Sequence, residues 1–469
     1  MSAPSVTADT AFRVAERVRA EAPWDVFAER SRRYEVHLQG RTVEMVRGPI
    51  ELEGYALRVF RSRDGQTGTG SQSSTDLTDA GIATSLRQAE TLSRFSRFPT
   101  KKVDLPRPGA SLSPVEVRDP RLWDRPNEEI LDYVHALLTA FEGRKGVGPS
   151  FGSVRATLSE ATVANSEGLR ASYAHTTVDF EVAVKSEGGP EGAPPGEYWV
   201  NDVTRRLEPR ELPRRVEEWC QFAHDVRRAA PTPTGELPVV LPPDVMGQIL
   251  PAVLGFRCTG EAQLRRIAPD LGTRWAPESV TIHDDGRVPW GTASSPVDDE
   301  GTPQRRRDLI VAGEVRSYLY DALHAGAFET ESTGSALRGM VFGIYRDWRR
   351  FLHPPSSTSS TLEVAPGSGG SDAEIIEATG DGLWVQQLGW AVPDPISGAF
   401  GGELRIGYRI RNGKRAEPVR GGTVGGVVAA PPGTPSMLSS IAAIGSNPVL
   451  TEWVLAPTVL VRPLTVAGA

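Results

Sequence analysis

Residues 290–338, WGTASSPVDDEGTPQRRRDLIVAGEVRSYLYDALHAGAFETESTGSALR, contain the succession of elements that decides the fold. An acidic turn, DDEGTP at 298–303, precedes the apolar run LIV at 309–311. Ala312 and Gly313 then give a turn signal, after which apolar and polar residues alternate over 315–319. Two such segments joined by a short glycine-containing turn predict a β-hairpin.

Length and charge restrict the class of protein. A chain of 469 residues exceeds what one hydrophobic core usually supports, so two or more domains are expected. We place an N-terminal domain at 1–235, with a proline-rich connector near 98–126, and a C-terminal domain at 236–469. The net charge of −7, without a basic block, argues against a nucleic-acid partner, because phosphate binding needs clustered Lys and Arg.

The sequence also indicates a compartment. No stretch reaches the ~20 apolar residues that a membrane span needs, so no membrane contact is expected. The N-terminal segment MSAPSVTADTAFRVAERVRAEAP lacks the apolar region of a secretory signal. The two cysteines are too few for a disulfide framework, which fits a reducing compartment. We therefore expect a cytoplasmic protein.

Patterns in the N-terminal half alternate between helix and strand. Apolar residues at helical spacing predict a helix over 11–29 that Pro23 ends or kinks. Alternating residues predict short strands at 34–38, 42–46 and 55–60. Asp64 and Gly65 predict a hairpin turn, followed by either a return strand or a flexible loop. Further helices are predicted at 77–95, 127–144 and 211–229.

The C-terminal half is richer in strand patterns. A short strand is predicted at 237–241, and the strongest hairpin signal is the alternating segment 403–410 followed by Asn412 and Gly413. The predicted fold class is therefore α+β. The N-terminal domain would combine helices with mixed or antiparallel strands, and the C-terminal domain would be β-rich, with antiparallel hairpins and few helices.

The decisive stretch ends in the polar loop ESTGS at 331–335. The order DDEGTP, then LI-x-x-G-x-x-x-x-Y-L, then STG resembles the C-terminal domain of the TldD/PmbA (TldE) family. Gly54, Arg58, Val59 and, with one spacer shorter, Gly65 resemble a pattern near the start of that family, as does the NS-x-G turn at 165–168.

The resemblance makes a definite expectation about metal. In TldD-type chains, a helix after the first strand of the C-terminal domain carries HExxxH, whose two His bind zinc while the Glu acts as general base. Pro251 and Phe256 stand at the two His positions here, and Ala252 at the Glu position. A cysteine supplies the third ligand in the family, and none follows the family match at 440–445. The chain therefore resembles the TldE/PmbA type, with no metal and no cofactor of its own.

That type implies a heterodimer with a zinc-bearing TldD-type subunit and a proteolytic chamber open to unfolded or small peptides. The chain would wall the chamber and bind substrate backbone, with its own catalytic residues absent. We expect contacts to substrate from the loop residues Ser332, Thr333, Gly334 and Ser335. One alternative is a homodimeric peptide-binding or scaffold protein without a peptidase partner. Another is an autonomous enzyme with repurposed residues.

Several other groups allow a chemical interpretation beside a structural one. The run His283-Asp284-Asp285-Gly286 could be a metal corner, although turn chemistry also explains it. Asp298, Asp299 and Glu300 could form an acid–base site or could order a turn. The seven histidines are scattered and predict no metal site by spacing.

Nucleophile signals are weaker. GPSFG at 148–152 satisfies G-x-S-x-G, but a nucleophile elbow needs a strand before the serine and a helix after it, and a strand is predicted to follow. Cys220 lies on an apolar helix face and is expected in the core. Cys258 could be exposed, yet no basic neighbour in the sequence would lower its pKa.

Overall fold

The structure is a computed structural model, and it describes residues 6–18, 22–109, 112–188, 194–341, 345–389 and 391–468. Its helices are α1 (Val6–Arg17), α2 (Asp79–Phe95), α3 (Pro120–Asp124), α4 (Pro126–Ala140), α5 (Leu212–Arg228), α6 (Pro243–Arg257), α7 (Gly260–Leu264), α8 (Ala322–Ala327) and α9 (Asp372–Thr379). None of these described helices is both long and apolar enough to cross a bilayer.

The strands, in chain order, are β1 (Trp24–Gln39), β2 (Thr42–Arg63), β3 (Gln66–Ser74), β4 (Val147–Asn165), β5 (Arg170–Ser186), β6 (Gly196–Thr204), β7 (Ala230–Pro231), β8 (Gly235–Leu241), β9 (Ile282–Asp285), β10 (Arg306–Val311), β11 (Glu314–Val315), β12 (Ala336–Arg338), β13 (Met340–Val341), β14 (Tyr345–Arg346), β15 (Pro355–Ser357), β16 (Leu362–Val364), β17 (Gly382–Gly389), β18 (Ala399–Arg411), β19 (Lys414–Arg420), β20 (Thr423–Val427), β21 (Ile441–Ile444), β22 (Val449–Leu450), β23 (Val454–Ala456) and β24 (Val459–Ala467). The mixture of separate helices and mainly antiparallel sheets confirms the α+β prediction.

The N-terminal half forms one sheet of six strands in the order β3-β2-β1-β4-β5-β6, with every neighbour antiparallel. Tight turns join its strands, and Asp64 and Gly65 both adopt positive φ between β2 and β3, as the Asp-Gly signal predicts. Helices α1 and α2 cover one end of the sheet. Strand β6 is the last in the order, so its second edge lacks a strand partner among the described residues.

The C-terminal half contains an eight-stranded sheet, β17-β8-β24-β20-β18-β19-β7 with β21 beside β24, and a six-stranded sheet, β11-β10-β9-β16-β23-β22. Helix α6 lies between these sheets because its apolar residues point in both directions, and ten of its fifteen residues are buried. Helices α4 and α5 pack the N-terminal sheet against the eight-stranded sheet, where Tyr408 and Trp384 join their core.

Two sequence predictions need correction, and a third holds in a shortened form. The helix predicted over 11–29 ends at Arg17, and Trp24 already starts β1, because the apolar side chains after Pro23 alternate between the two faces of a sheet. The segments 42–46 and 55–60 belong to one strand, β2, which runs along β1 over its whole length. The hairpin at 309–319 forms with its turn at Ala312 and Gly313, but its second strand, β11, has only two residues.

Candidate functional site

Helix α6 carries the positions matched to the zinc ligands of the resembled family. Pro251 and Ala252 are buried, and Ala252 is 0% exposed. Phe256 is half-buried, and the guanidinium of Arg265 lies 6.0 Å from its ring centroid. None of these three side chains has a nitrogen, oxygen or sulfur atom that can bind a metal ion. The residues at this face of α6 therefore do not fit zinc.

Side chains of neighbouring segments pack closely against α6 on either side of Pro251. A Cβ added at Gly247 would lie 3.0 Å from Thr451 Oγ1, and one added at Gly255 would lie 2.5 Å from Ser359 Oγ. Positions four residues apart share a helix face, so these close approaches lie one turn before and one turn after Pro251. A larger side chain would clash with Ser359 at position 255 and would press against Thr451 at position 247.

The cysteines offer neither a ligand nor a nucleophile. Cys220 lies in the core between α5 and its neighbours, and burial raises the pKa of its thiol to about 11. Cys258 is 0% exposed at the end of α6, and burial raises the pKa of its thiol to about 12. Both are free and buried, so neither forms a thiolate at neutral pH.

Histidines and acidic groups do not gather into a metal site. Among the residues that the structure describes, no three His, Cys, Asp or Glu side chains come close enough together to hold an ion. His283 Nδ1 contacts Asp308 Oδ1 at 2.7 Å, away from the neighbouring Asp284. Asp284 is 2% exposed and accepts hydrogen bonds from the N–H and hydroxyl of Ser360, at 2.7 and 2.9 Å. Burial raises the pKa of Asp284 to about 7, which marks an internal structural acid.

Asp321, His324 and Ser357 form a serine–histidine–aspartate group without triad geometry. The Ser357 hydroxyl donates to Asp321 Oδ2 at 3.0 Å, and His324 Nδ1 contacts the same oxygen at 2.8 Å. Ser357 and His324 thus share the carboxylate, whereas a triad needs the histidine between the serine and the acid. Asp321 also caps α8 by accepting from the N–H of His324, so the group orders a helix start.

The acidic turn is buried and fully used by hydrogen bonds. Asp298 is 0% exposed and accepts from the backbone N–H groups of Glu300, Thr302 and Ala336, at 3.0, 2.8 and 3.0 Å. Burial raises the pKa of Asp298 well above its usual range. Because this carboxyl is closed off from solvent by its own turn, the geometry favours the turn interpretation over acid–base catalysis.

The other two acids of the turn join the two halves of the chain. Glu300 Oε1 accepts from Arg58 at 2.7 Å, and Arg58 also binds Asp25 through two hydrogen bonds. Asp299 Oδ1 accepts from Arg350 Nη1 at 3.1 Å. All five side chains are at most 3% exposed, so the ion pairs form a buried joint.

Contacts with the N-terminal sheet fix the same turn. Arg350 reaches Glu29 of β1 with its Nε at 2.7 Å. Gly301 has a φ of 92°, and a Cβ there would lie 2.2 Å from Leu169 Cδ2, so the turn needs glycine to fit against this sheet. The acidic turn therefore organises the interface between the two halves.

The predicted substrate-contact loop lies inside the molecule. Thr333, Gly334 and Ser335 are buried and Ser332 is half-buried. The Thr333 hydroxyl accepts from the N–H of Tyr320 at 2.7 Å and contacts Ser335 Oγ at 2.9 Å. These hydroxyls hold the loop to the chain before α8. Contact with substrate remains a prediction for this loop, and of its four residues Ser332 has the most accessible side chain.

The G-x-S-x-G motif at 148–152 lies wholly within β4, where Phe151, the residue after the central Ser150, pairs with Ala183 of β5. No helix follows the serine, so the motif is not a nucleophile elbow.

A long cleft runs beside the free edge of β6. It consists of two adjoining cavities of about 780 and 450 Å³, which share the lining residues Trp199, Asn201, Gln248, Gln387 and Glu452. We call it the β6 cleft. Its opposite wall is formed by the first turns of α6 and by β17. Gln248 lies three residues before Pro251 and four before Ala252, the positions matched to the first zinc ligand and to the general base. Residues three and four apart share a helix face, so the cleft begins on the face of α6 that carries the matched positions.

Comparisons with known proteins identify the family. Family models for PmbA/TldA metallopeptidases match domain 1 over residues 24–93, the central domain over 120–219 and the C-terminal domain over 234–468. The chain belongs to the PmbA/TldD metallopeptidase family. Crystal structures with the same fold include a proposed modulator of a DNA gyrase from Thermotoga maritima, with a TM-score of 0.78, 19% identity and coverage of 98% of this chain and 99% of that one. TldE from Thermococcus kodakarensis gives a TM-score of 0.76, with 19% identity over 98% of this chain and 99% of that one.

Sequence relatives carry metalloprotease names. The PmbA metalloprotease of Escherichia coli O157:H7 is 24% identical over 432 residues, which cover 86% of this chain and 84% of that protein. A metalloprotease of Methanocaldococcus jannaschii is 26% identical over 204 residues, 43% of each chain. A TldD homologue of Buchnera aphidicola is 27% identical over 195 residues, 41% of this chain. The matches span only 43% and 38% of the lengths of these last two relatives.

Within the PmbA/TldD fold, the β6 cleft is the feature that the sequence prediction missed. Its residues come from β6, α5, α6, β17, β18 and the loop before β23, so no local motif marks them.

Proposed function

We propose that this chain is the metal-free subunit of a two-chain PmbA/TldD-type zinc metallopeptidase. The observation that carries the proposal is the chemistry of α6, where Pro251, Ala252 and Phe256 replace the family's ligands and general base. A peptidase of this type needs zinc to activate water and polarise the scissile carbonyl. These functions, and the general base, would therefore come from a TldD-type partner with an intact HExxxH helix.

In that assembly this chain would wall the proteolytic chamber and hold unfolded or small peptides. The β6 cleft supports this role because it is large enough for several residues of a peptide and has a strand edge along one side. The loop at 332–335 is a second candidate for substrate contact, through the half-buried Ser332. A cytoplasmic location, where unfolded peptides are turned over, fits the free cysteines.

The test combines partner capture with metal analysis. The full chain, tagged and purified alone, should carry no stoichiometric zinc and should not hydrolyse unstructured fluorogenic peptides. Co-expressed with an HExxxH-bearing chain from the same cell, it should form a complex with one zinc per pair that cleaves them. The matched control is the same complex with the partner's glutamate of HExxxH changed to glutamine, which should retain zinc and lose activity.

Two outcomes would overturn the proposal. Zinc bound tightly at one ion per chain in the protein purified alone would show ligands of its own. A stable homodimer that does not bind the HExxxH-bearing chain would favour a peptide-binding scaffold without a peptidase partner.

A further inference from the structure

The free edge of β6 presents to the β6 cleft backbone groups that have no strand partner among the described residues. Thr176, on the preceding part of β5, donates its N–H to Val117 on the side where β6 lies. Alternate residues of an antiparallel strand direct their backbone groups to the same side, so residues 178, 180, 182 and 184 of β5 bond to β6. Their partners are the even-numbered residues of β6. The N–H and C=O groups of Glu197, Trp199 and Asn201 therefore point into the cleft.

A side-chain amide already forms a hydrogen bond with one of these backbone groups. Gln387 of β17 reaches across the cleft and donates from Nε2 to the carbonyl oxygen of Trp199. A peptide strand paired with β6 would place a backbone N–H at this oxygen, so the Gln387 amide stands where a peptide amide would bind. The glutamine side chain can rotate away, which would open the edge without moving the backbone.

The smaller cavity of the cleft has an excess of negative charge. Asp202, Asp244 and Glu452 line it, and Arg215 is the single basic residue among its described lining residues. Arg215 forms an ion pair with Asp202 at 3.1 Å, and neither of the other two carboxyls lies in an ion pair within the described part of the chain. The protein around the cleft raises the pKa of Asp244, whose side chain is exposed to the cleft, to about 6, and raises the pKa of the half-buried Glu452 well above its usual range. The charge of Asp202 adds to both shifts, and Arg215 partly opposes the shift of Asp244. A bound cation would relieve this repulsion.

We propose that the β6 cleft binds an extended peptide segment that carries a basic side chain. The peptide backbone pairs with Trp199 and Asn201 after Gln387 is displaced, and the lysine or arginine side chain enters the smaller cavity between Asp244 and Glu452. The identification of the ligand as a peptide rests on the proposed function above. The strand edge supplies affinity that does not depend on sequence, and the carboxyls supply the preference for a cation.

The direct test uses labelled heptapeptides and the full chain, with fluorescence anisotropy as the readout. One probe alternates Val and Thr around a central Lys, and its two counterparts carry Glu or norleucine at the centre. The Lys probe should bind about tenfold more tightly than the norleucine probe, the change expected for one partly buried ion pair, and the Glu probe should bind more weakly than both.

Backbone pairing is tested with N-methylated forms of the Lys probe. Methylation at odd positions removes the N–H donors along one edge of the peptide strand. Methylation at even positions removes those along the opposite edge, and the amino-acid sequence stays the same. One of these two peptides should lose at least about tenfold in affinity and the other should bind nearly as well as the parent, because only one edge faces β6. Equal binding of both would overturn the strand pairing.

Protein variants locate the site. Glu452→Gln and Asp244→Asn should each reduce the Lys-over-norleucine preference several-fold, whereas Glu44→Gln, at an exposed carboxyl outside the cleft, should leave it unchanged. Gln387→Ala should strengthen binding of all three probes by removing the competing amide. If the three cleft variants bind the probes like the parent protein and the Glu44→Gln control, the proposal is overturned.

These outcomes are separate from the proposed function. A chain that forms an active zinc complex but shows no charge or methylation preference refutes the cleft assignment alone. A chain that binds the Lys probe as described but captures no HExxxH-bearing subunit refutes the peptidase assembly alone.

Discussion

At the scale of single residues, Asp284 makes the clearest prediction of pH dependence. Its folded pKa is about 7, raised by burial, against an ordinary value of 3.8. The folded state therefore binds the proton more tightly than the unfolded state. The stability that Asp284 contributes is fully present below about pH 4 and is lost as the pH rises through 7. Between pH 5 and 8 the loss amounts to roughly 2–3 kcal/mol.

Asp284→Asn removes this titration. Urea unfolding at pH 5, 6.5 and 8 should show that the variant gains about 2–3 kcal/mol relative to the parent protein as the pH rises. Asn retains one oxygen to accept from Ser360, so the variant is expected to fold. Glu44→Gln, at an exposed carboxyl, is the control. Parallel stability curves for Asp284→Asn and the parent protein would contradict the prediction.

Residue types indicate which chemistry a side chain can perform, but they do not indicate its contacts in the fold. The side chains of Pro251 and Phe256 carry no metal-ligating atom, wherever they lie in the fold. The three acids at 298–300 predicted a turn, but their partners could not be predicted because Arg58 lies 242 residues from Glu300 in the sequence. Ion pairs across such separations depend on the order of the sheets, which local patterns do not contain.

At the scale of elements, α6 predicts different responses at neighbouring positions. Ala252 is 0% exposed in the apolar core, so Ala252→Glu would bury a carboxylate without a cation and should cost at least about 3 kcal/mol or prevent folding. Phe256 is half-buried, so Phe256→His should cost only about 1–2 kcal/mol. Thermal unfolding and zinc analysis of both variants test this.

Neither variant should acquire zinc, because a single ligand or base does not make a site. Equal destabilisation by Ala252→Glu and Phe256→His would show that position 252, which is matched to the general base, is not buried in the core. In that case this face of α6 would be accessible, as the face of a metal-binding helix must be. That result would contradict the close packing of Gly247 and Gly255 against their neighbours.

Elements with specific turn chemistry were predictable from the sequence. Asn412 and Gly413 adopt positive φ and join β18 to β19, as the Asn-Gly signal predicts. The segment at 24–29 was not predictable, because its apolar residues fit a helix as well as a strand. The segment is a strand because it pairs with β2 on one side and with β4 on the other. The residues that form these pairs lie elsewhere in the sequence, so the local pattern does not contain this information.

At the scale of the whole molecule, the order of strands determines which strand edges are paired and which are free. The free edge of β6 results from its terminal place in the six-stranded sheet, and the β6 cleft results from how that sheet meets α6 and β17. The acidic turn at 298–300 holds these two halves together through Arg58 and Arg350. A sequence can indicate each strand, but the meeting of the sheets is a property of the assembled core.

This joint makes the last prediction. Arg58→Met would leave Asp25 and Glu300 buried without their cation and should destabilise the chain by about 3–5 kcal/mol. Arg30→Met, which breaks the exposed pair with Glu51 in the same sheet, should cost less than about 1 kcal/mol. Urea unfolding followed by tryptophan fluorescence and circular dichroism measures both. Adding Asp25→Asn and Glu300→Gln to Arg58→Met should restore part of the lost stability, because the unpaired charges are then gone. If this restoration fails while Arg58→Met is strongly destabilising, the arginine acts through packing on Phe60, 5.1 Å from its guanidinium, and not through charge.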